Sequence, residues 1–351
     1  MKFLILILIS GFISAQKVEI RRVAIYGDDD RKNYYEADNI SKALSGFVGM
    51  LVRNVDLLDL GNSKYLLKTT KLSDRFNILT DERFASEPVV GFCSGFLASS
   101  TTFITAAHCI EKVSCRNFSV VFDWRIEREG VYPSEIDSNN VYRCSTVVYN
   151  GRSRGYDFAV IRLDRLVRDR YPLALERKEL EVGRSVFVIG YPNGLPLKIT
   201  SPNTSRIRTV SSTTYVCDLD TFRGNSGSPV FDENSLKVIG ILIEGEDDYI
   251  YSDGKNEVRD PSFPHLYESG RYNVLPQDGG KGEIVLKSIL FEHFVPANDL
   301  ERFINSNPGF LRRTNNQTQP AIYNPTERPI QVRPAIYEVP DIPKDPKVIF
   351  I

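Results

Sequence analysis

Between residues 84 and 243 the chain is built of short apolar or alternating runs separated by Gly, Pro, Asn and Ser. SGFLASSTTFITAA, SVVFDW, FAVIRL, SVFVIGYP, RIRTVSSTTYV, SPVF and KVIGILI are examples. Period-two alternation bounded by turn residues predicts β-strands, and many such strands in succession predict an all-β barrel or sandwich. Around this block the texture differs. Residues 16 to 83 mix charged, polar and apolar patches, and read either as a propeptide or as a flank packed on the main domain. Residues 245–282 are polar and rich in Tyr, Asp and Gly, which predicts a long loop insertion. Leu300, Phe303 and Ile304 then share a helical face, Asn298 or Asp299 can cap it, and Asn307-Pro308-Gly309 stops it, so a short helix closes the domain near residue 306. The remaining tail, 307–351, is dotted with proline and repeats PAIY at 320–323 and 334–337. Such a segment rarely builds a core of its own.

The first sixteen residues, MKFLILILISGFISAQ, change the setting. Lys2 precedes an apolar run from Phe3 to Ile9, and Ser14-Ala15 forms a small-residue exit, the pattern of a secretory signal peptide spanning residues 1–15. The apolar run is well short of the roughly 20 residues a bilayer needs. The expectation is a secreted protein, extracellular or periplasmic, with no membrane span. Export permits disulfides among the five cysteines, 93, 109, 115, 144 and 217. Composition adds little beyond exclusions. With 44 Lys+Arg against 45 Asp+Glu the formal charge is −1, which gives no footing for nucleic-acid binding. An apolar content of 42% in 351 residues is ample for a folded core.

Three stretches carry candidate chemistry: ITAAHC at 104–109, GYDFAVIRL at 155–163 and GNSGSP at 224–229. A serine hydroxyl is a weak nucleophile near neutral pH and needs an adjacent base. Histidine suits that role, and the chain has only three, at 108, 265 and 293. A buried carboxylate would hold the imidazole in one tautomer. Gly224 and Gly227 permit the unusual backbone that turns the amides of residues 224 and 226 toward one point. Each stretch alone has a plain structural explanation: a core histidine, a strand-capping acid, an ordinary turn. Together, in this order, they point to an acyl-transfer site.

CSGFLASSTTFITAAHC, YDFAVIRL and GNSGSPVF resemble the three catalytic stretches of chymotrypsin-like (trypsin-fold) serine peptidases, and GNSGSP is closer to the bacterial glutamyl-endopeptidase-like branch. VPANDLERFI is similar to the closing helix of that branch. The resemblance covers about residues 84–306. It implies two packed six-stranded β-barrels with the site in the cleft between them. Carried onto this chain, it implies Ser226 as nucleophile, His108 as general base and acid, Asp157 as orienting acid, and the Gly224 and Ser226 amides as oxyanion hole. It pairs Cys93 with Cys109; Cys115 with Cys144 is the second expected pair, leaving Cys217 free. It also puts Asp220 at the base of the primary pocket, with Glu244 on its wall, which would favour Arg or Lys at P1. The edge from Ile241 to Gly245 would pair with an extended substrate, with Ile243, Glu244 and Gly245 as its substrate-binding residues. Asn225 stands where the trypsin branch has an aspartate, so activation by a new N-terminus paired with that acid is not expected. No metal or organic cofactor is implied, and the partner is a protein or peptide substrate. A catalytically silent binding module and an esterase or other acyl hydrolase are the alternatives. Sequons at Asn39, Asn117, Asn203 and Asn316 matter only in a glycosylating host.

Overall fold

A computed structural model describes residues 24–111, 113–170, 172–251 and 269–295. Twelve strands make two closed barrels. The first uses β1 (Val48–Arg53), β2 (Cys93–Leu97), β3 (Thr102–Thr105), β4 (Phe118–Val121), β5 (Val141–Asn150) and β6 (Ala159–Leu163), in the order β4-β5-β6-β3-β2-β1 with β1 closing on β4. The second uses β7 (Ser185–Gly190), β8 (Ser205–Val210), β9 (Thr214–Cys217), β10 (Pro229–Asp232), β11 (Val238–Glu244) and β12 (Glu283–Lys287), in the order β8-β9-β12-β11-β10-β7 with β7 closing on β8. The expectation of two six-stranded barrels is borne out. Closure leaves no strand edge within either ring.

The local rules behind these strands are ordinary. β6, Ala-Val-Ile-Arg-Leu, is buried except at Arg162, because its neighbours β5 and β3 hold it on both sides. The apolar run of β11 is buried through Leu242, since it lies between β10 and β12. One core joins the barrels: Phe96, Ile104 and Phe158 from the first pack with Phe187, Ile189 and Ile241 from the second. Burying a side chain of that size contributes roughly 2–3 kcal/mol, so the shared core fixes how the barrels meet.

Two expectations need correction. The domain does not begin at residue 84. β1 is an integral strand of the first barrel, paired with β2 from Val48↔Phe96 to Leu51↔Cys93 and with β4 from Phe118↔Arg53 to Val121↔Met50. Residues 48–53 cannot leave as a propeptide without opening the ring. The flank also supplies Ile25–Tyr26, parallel to Val274–Leu275, and Lys32–Asn33, against Lys198–Ile199. The 245–282 insertion, in turn, is not all loop. Tyr249–Tyr251 and Gly270–Tyr272 form an antiparallel ribbon whose three tyrosines are buried. These rings join Ile25, Leu72, Ile78, Val89, Leu195 and Phe222 in a satellite core. Alternating Tyr, read as polar loop, was the signal passed over. The predicted helix over 299–306 and the tail lie outside the described residues. Among the described residues no helix is long and apolar enough to cross a membrane.

Candidate active site

His108 sits on the one-turn helix Ala107–Glu111 that follows β3. Small residues precede it because the neighbouring backbone is close: Ala106 and Ala107 are fully buried, and a Cβ on Gly227 would lie 2.8 Å from the Ala106 amide and 2.3 Å from the Ser94 carbonyl. Asp157 ends the turn that follows β5 and precedes β6, and is 7% exposed. One carboxylate holds two groups of the same histidine. Oδ1 accepts from the His108 backbone amide at 3.0 Å, and Oδ2 lies 2.8 Å from ring Nδ1. Ring position and ring tilt are therefore set by a single acid, and a charged acceptor at Nδ1 favours the tautomer with that nitrogen protonated.

The Ser226 loop is held by its own backbone. Asn225 N donates to Phe222 O at 3.0 Å, Ser228 N to Asn225 O at 2.7 Å and Gly227 N to Leu242 O at 2.7 Å. Among the described residues the amides of Gly224 and Ser226 take part in no hydrogen bond. Gly224 and Gly227 adopt φ of +90° and +87°, a region open to glycine at little cost. A Cβ on Gly224 would also lie 2.7 Å from the Tyr191 carbonyl. Asn225 is turned inward, its Oδ1 accepting from Ser228 Oγ at 3.1 Å, so it serves the loop's interior.

His108 and Asp157 are in direct contact. Ser226 lies against the histidine helix: its carbonyl accepts from Ser94 N at 2.9 Å and lies 3.7 Å from Sγ of Cys109, the residue after His108. No hydrogen bond among the described residues joins the Ser226 hydroxyl to the imidazole. Such bonds are often long before substrate arrives. Cys93 and Cys109 form a disulfide that ties β2 to the histidine helix, Cys115 and Cys144 form a second, and Cys217 is a free, buried thiol. Cys93, His108 and Cys109 cluster closely enough to suggest metal ligands, but both sulfurs are spent in the disulfide.

Two neighbours escaped the sequence reading. Ser94 Oγ donates to Gly224 O at 2.7 Å and accepts from Tyr191 N at 2.9 Å, fixing the peptide after Gly224. Arg152 places Nη2 3.4 Å from Asp157 Oδ2 and Nε 3.2 Å from Glu111. The arginines of GRSRG, just before YDF, were the only hint.

The expected substrate-binding residues are distributed differently. β11 pairs with β10 up to Ile241↔Pro229, so Ile243, Glu244 and Gly245 run on past the Ser226 loop. Ile243 is half-buried against the shared core and the core of the first barrel. Glu244 is exposed, opposite Ile284 of β12. Gly245 is required by Glu283, whose Oε2 would lie 2.0 Å from an added Cβ. Asp220 departs most from expectation. It is 2% exposed, Oδ1 accepts from Tyr26 N at 2.7 Å, and Oδ2 accepts from Asp30 N at 2.9 Å. Burial, reinforced by the charge of Asp30, pushes its carboxyl up to about 8. Burial likewise raises Asp248 to about 7 and holds Glu283 well above the carboxylate range.

These three acids make a pH prediction. Unfolded, each would ionise near 4; folded, each keeps its proton to higher pH. From about pH 4 to 8 the folded chain therefore binds more protons, and its stability falls as pH rises, Asp220 adding no further loss above about 8. Calorimetry is expected to give a lower Tm at pH 8 than at pH 5, with a shallower fall in Asp220→Asn. An unchanged slope in that variant would remove Asp220 from the account.

With this geometry in view, a family model described as "Trypsin-like peptidase domain" matches residues 93–241, the span that contains His108, Asp157 and Ser226. Residues 93–241 are similar to trypsin-like peptidase domains. The glutamyl endopeptidase of Bacillus licheniformis is 26% identical to this chain over 152 residues, 42% of this chain and 48% of the relative. The chain thus spans about half the length of that curated relative. Among solved structures, a Glu endopeptidase in complex with MPD is 18% identical with a TM-score of 0.41, covering 66% of this chain and 90% of its own. The active form of the Rv3671c protease from M. tuberculosis is 15% identical with a TM-score of 0.40, covering 77% and 88%. In this chain the two-barrel fold extends beyond the matched span, since β1 and β12 complete the barrels from either side.

Proposed function

We propose that the chain is a secreted serine endopeptidase that hydrolyses peptide bonds through an acyl-enzyme. The observation that carries this reading is the double hold of Asp157 on His108 beside a loop whose Gly224 and Ser226 amides are left for a ligand. In the proposed mechanism His108 Nε2 takes the proton of Ser226 Oγ as that oxygen attacks the scissile carbonyl. Asp157 holds the Nδ1 proton and stabilises the imidazolium. The developing oxyanion is received by the amides of Gly224 and Ser226, each worth about 3 kcal/mol of transition-state stabilisation. The imidazolium then protonates the leaving amine, and water repeats the sequence on the ester. Two disulfides in the described residues fit an oxidising compartment. A fluorophosphonate serine-hydrolase probe should label the secreted protein, with peptide and simple ester substrates tested side by side. Ester turnover without peptide turnover would favour an acyl hydrolase, and no labelling would favour a silent binding module.

Charge-based selection of P1 Arg or Lys through Asp220 forms no part of the proposal. Both its oxygens are taken by backbone amides, and an acid titrating near 8 is mainly neutral at pH 7. Asp220→Asn is expected to change the ratio of kcat/KM for Arg and Leu at P1 by less than about threefold. A charge pair read in a buried pocket would be worth roughly 100-fold or more, and a drop of that size would restore Asp220 as the P1 determinant.

A further inference from the structure

The loop before Ser226 is gripped from outside by the N-terminal segment 24–33. Thr221 N donates to Ala24 O at 3.3 Å, and the Asp220 carboxyl oxygens accept from the amides of Tyr26 and Asp30. Arg31 follows, fully buried. Its Nε and Nη2 each donate to an Asp29 oxygen at 2.8 Å, and its guanidinium stacks 4.0 Å from the ring centre of Phe222 and 5.1 Å from that of Tyr272. Phe222 is not a remote wall residue: its carbonyl accepts the Asn225 amide, the bond that shapes the turn between Gly224 and Ser226. The ribbon grips the other side. Tyr249 Oη accepts from Asn193 Nδ2 at 2.5 Å, and the Asn193 backbone amide donates to Arg223 O. Asn225 carries no charge that could anchor the loop from within.

We propose that segment 24–33 and the Tyr249 ribbon are a permanent brace on the oxyanion loop, with Arg31 as a positioning residue acting through Phe222. The site is therefore competent with the flank attached, and no cleavage between residues 33 and 83 accompanies activity. A planar, bidentate guanidinium is what this place requires, since it pairs with Asp29 in its own plane while presenting a face to Phe222. Lysine can do only one of these. The proposal rests on the peptidase reading above, and the test separates the two.

Full-length secreted protein is labelled with the fluorophosphonate probe, and the N-terminus of the labelled material is mapped by mass spectrometry. Steady-state constants are measured for wild type, Arg31→Ala, Arg31→Lys and Tyr249→Phe. Labelled protein is expected to begin upstream of Ala24. Arg31→Ala is expected to lower kcat and the labelling rate about 100-fold, as misplacement of a catalytic group by an ångström does, with KM moved less than about threefold. Added methylguanidinium should recover part of the loss, which a purely structural role would not produce, and Arg31→Lys should remain below wild type. A labelled N-terminus between residues 34 and 83 overturns the brace, as does wild-type kcat in Arg31→Ala. Should Arg31→Ala not fold, Tyr249→Phe, which loses one hydroxyl, decides: a reduced kcat supports the brace and an unchanged kcat overturns it. Absence of labelling in wild type sinks the peptidase reading itself.

Discussion

Replacing Ser226 with alanine is expected to lower kcat on a peptide substrate by about 10⁶-fold and to abolish fluorophosphonate labelling. Removal of the nucleophile from a working Ser-His-Asp unit costs on that order, because no acyl-enzyme can form and the remaining groups have nothing to activate. The fold should be unaffected. Ser226 is half-buried, and the hydrogen bonds that hold its loop come from the backbone of residues 225, 227 and 228 and from Ser94. His108→Ala should cost about as much, and the double variant little more than either alone, since the two act as one device. Residual catalysis of about 10³–10⁴ over the uncatalysed reaction would persist through the Gly224 and Ser226 amides and through binding. Activity above about 1% of wild type in Ser226→Ala would place the nucleophile elsewhere.

The second large effect is expected at Asp157→Asn, with kcat falling about 10⁴-fold at unchanged fold and nearly unchanged KM. The reason is visible in the hydrogen bonds. Oδ1 faces the His108 backbone N–H at 3.0 Å, a donor that can only be met by an acceptor, so the amide oxygen of asparagine must occupy that place. The amide nitrogen is then directed at His108 Nδ1, where Oδ2 lay at 2.8 Å. Its N–H forces Nδ1 to accept, moves the ring proton to Nε2 and removes the lone pair that would take the serine proton. Arg152, whose Nη2 lies 3.4 Å from Oδ2, would also lose its acceptor. A pH–rate profile with single-turnover kinetics would check this. A fall of less than tenfold would mean that Asp157 is not the orienting acid.

Much of the site was legible in the chain because its constraints are local. Gly224 and Gly227 need positive φ, and the residues before His108 are small because strands pass within contact distance. The positive φ is a demand of each glycine's own backbone, and the close approach, though made by distant segments, admits only small residues, so both leave their mark as GNSGSP and TAAHC. The alternating apolar runs likewise announced strands, since each needs only one buried face.

Other features depended on partners far away in sequence, and these only the tertiary structure decided. Val-Gly-Met-Leu-Val-Arg at 48–53 looks like part of an amphipathic flank. What makes it a barrel strand is pairing with β2, some forty residues on, and with β4, further still. Asp220, in a motif-like position, pointed to substrate charge. Its true contacts are amides 194 and 190 residues away in sequence, and burial beside Asp30 keeps the carboxyl protonated and withholds the charge it was expected to offer. Arg31 stands in a run of charged residues in the sequence, yet it is sealed against Phe222. Local pattern records what a residue's own backbone and nearest neighbours demand. Burial, and with it ionisation and the choice between a binding and a bracing role, is set by which distant segments close over that residue.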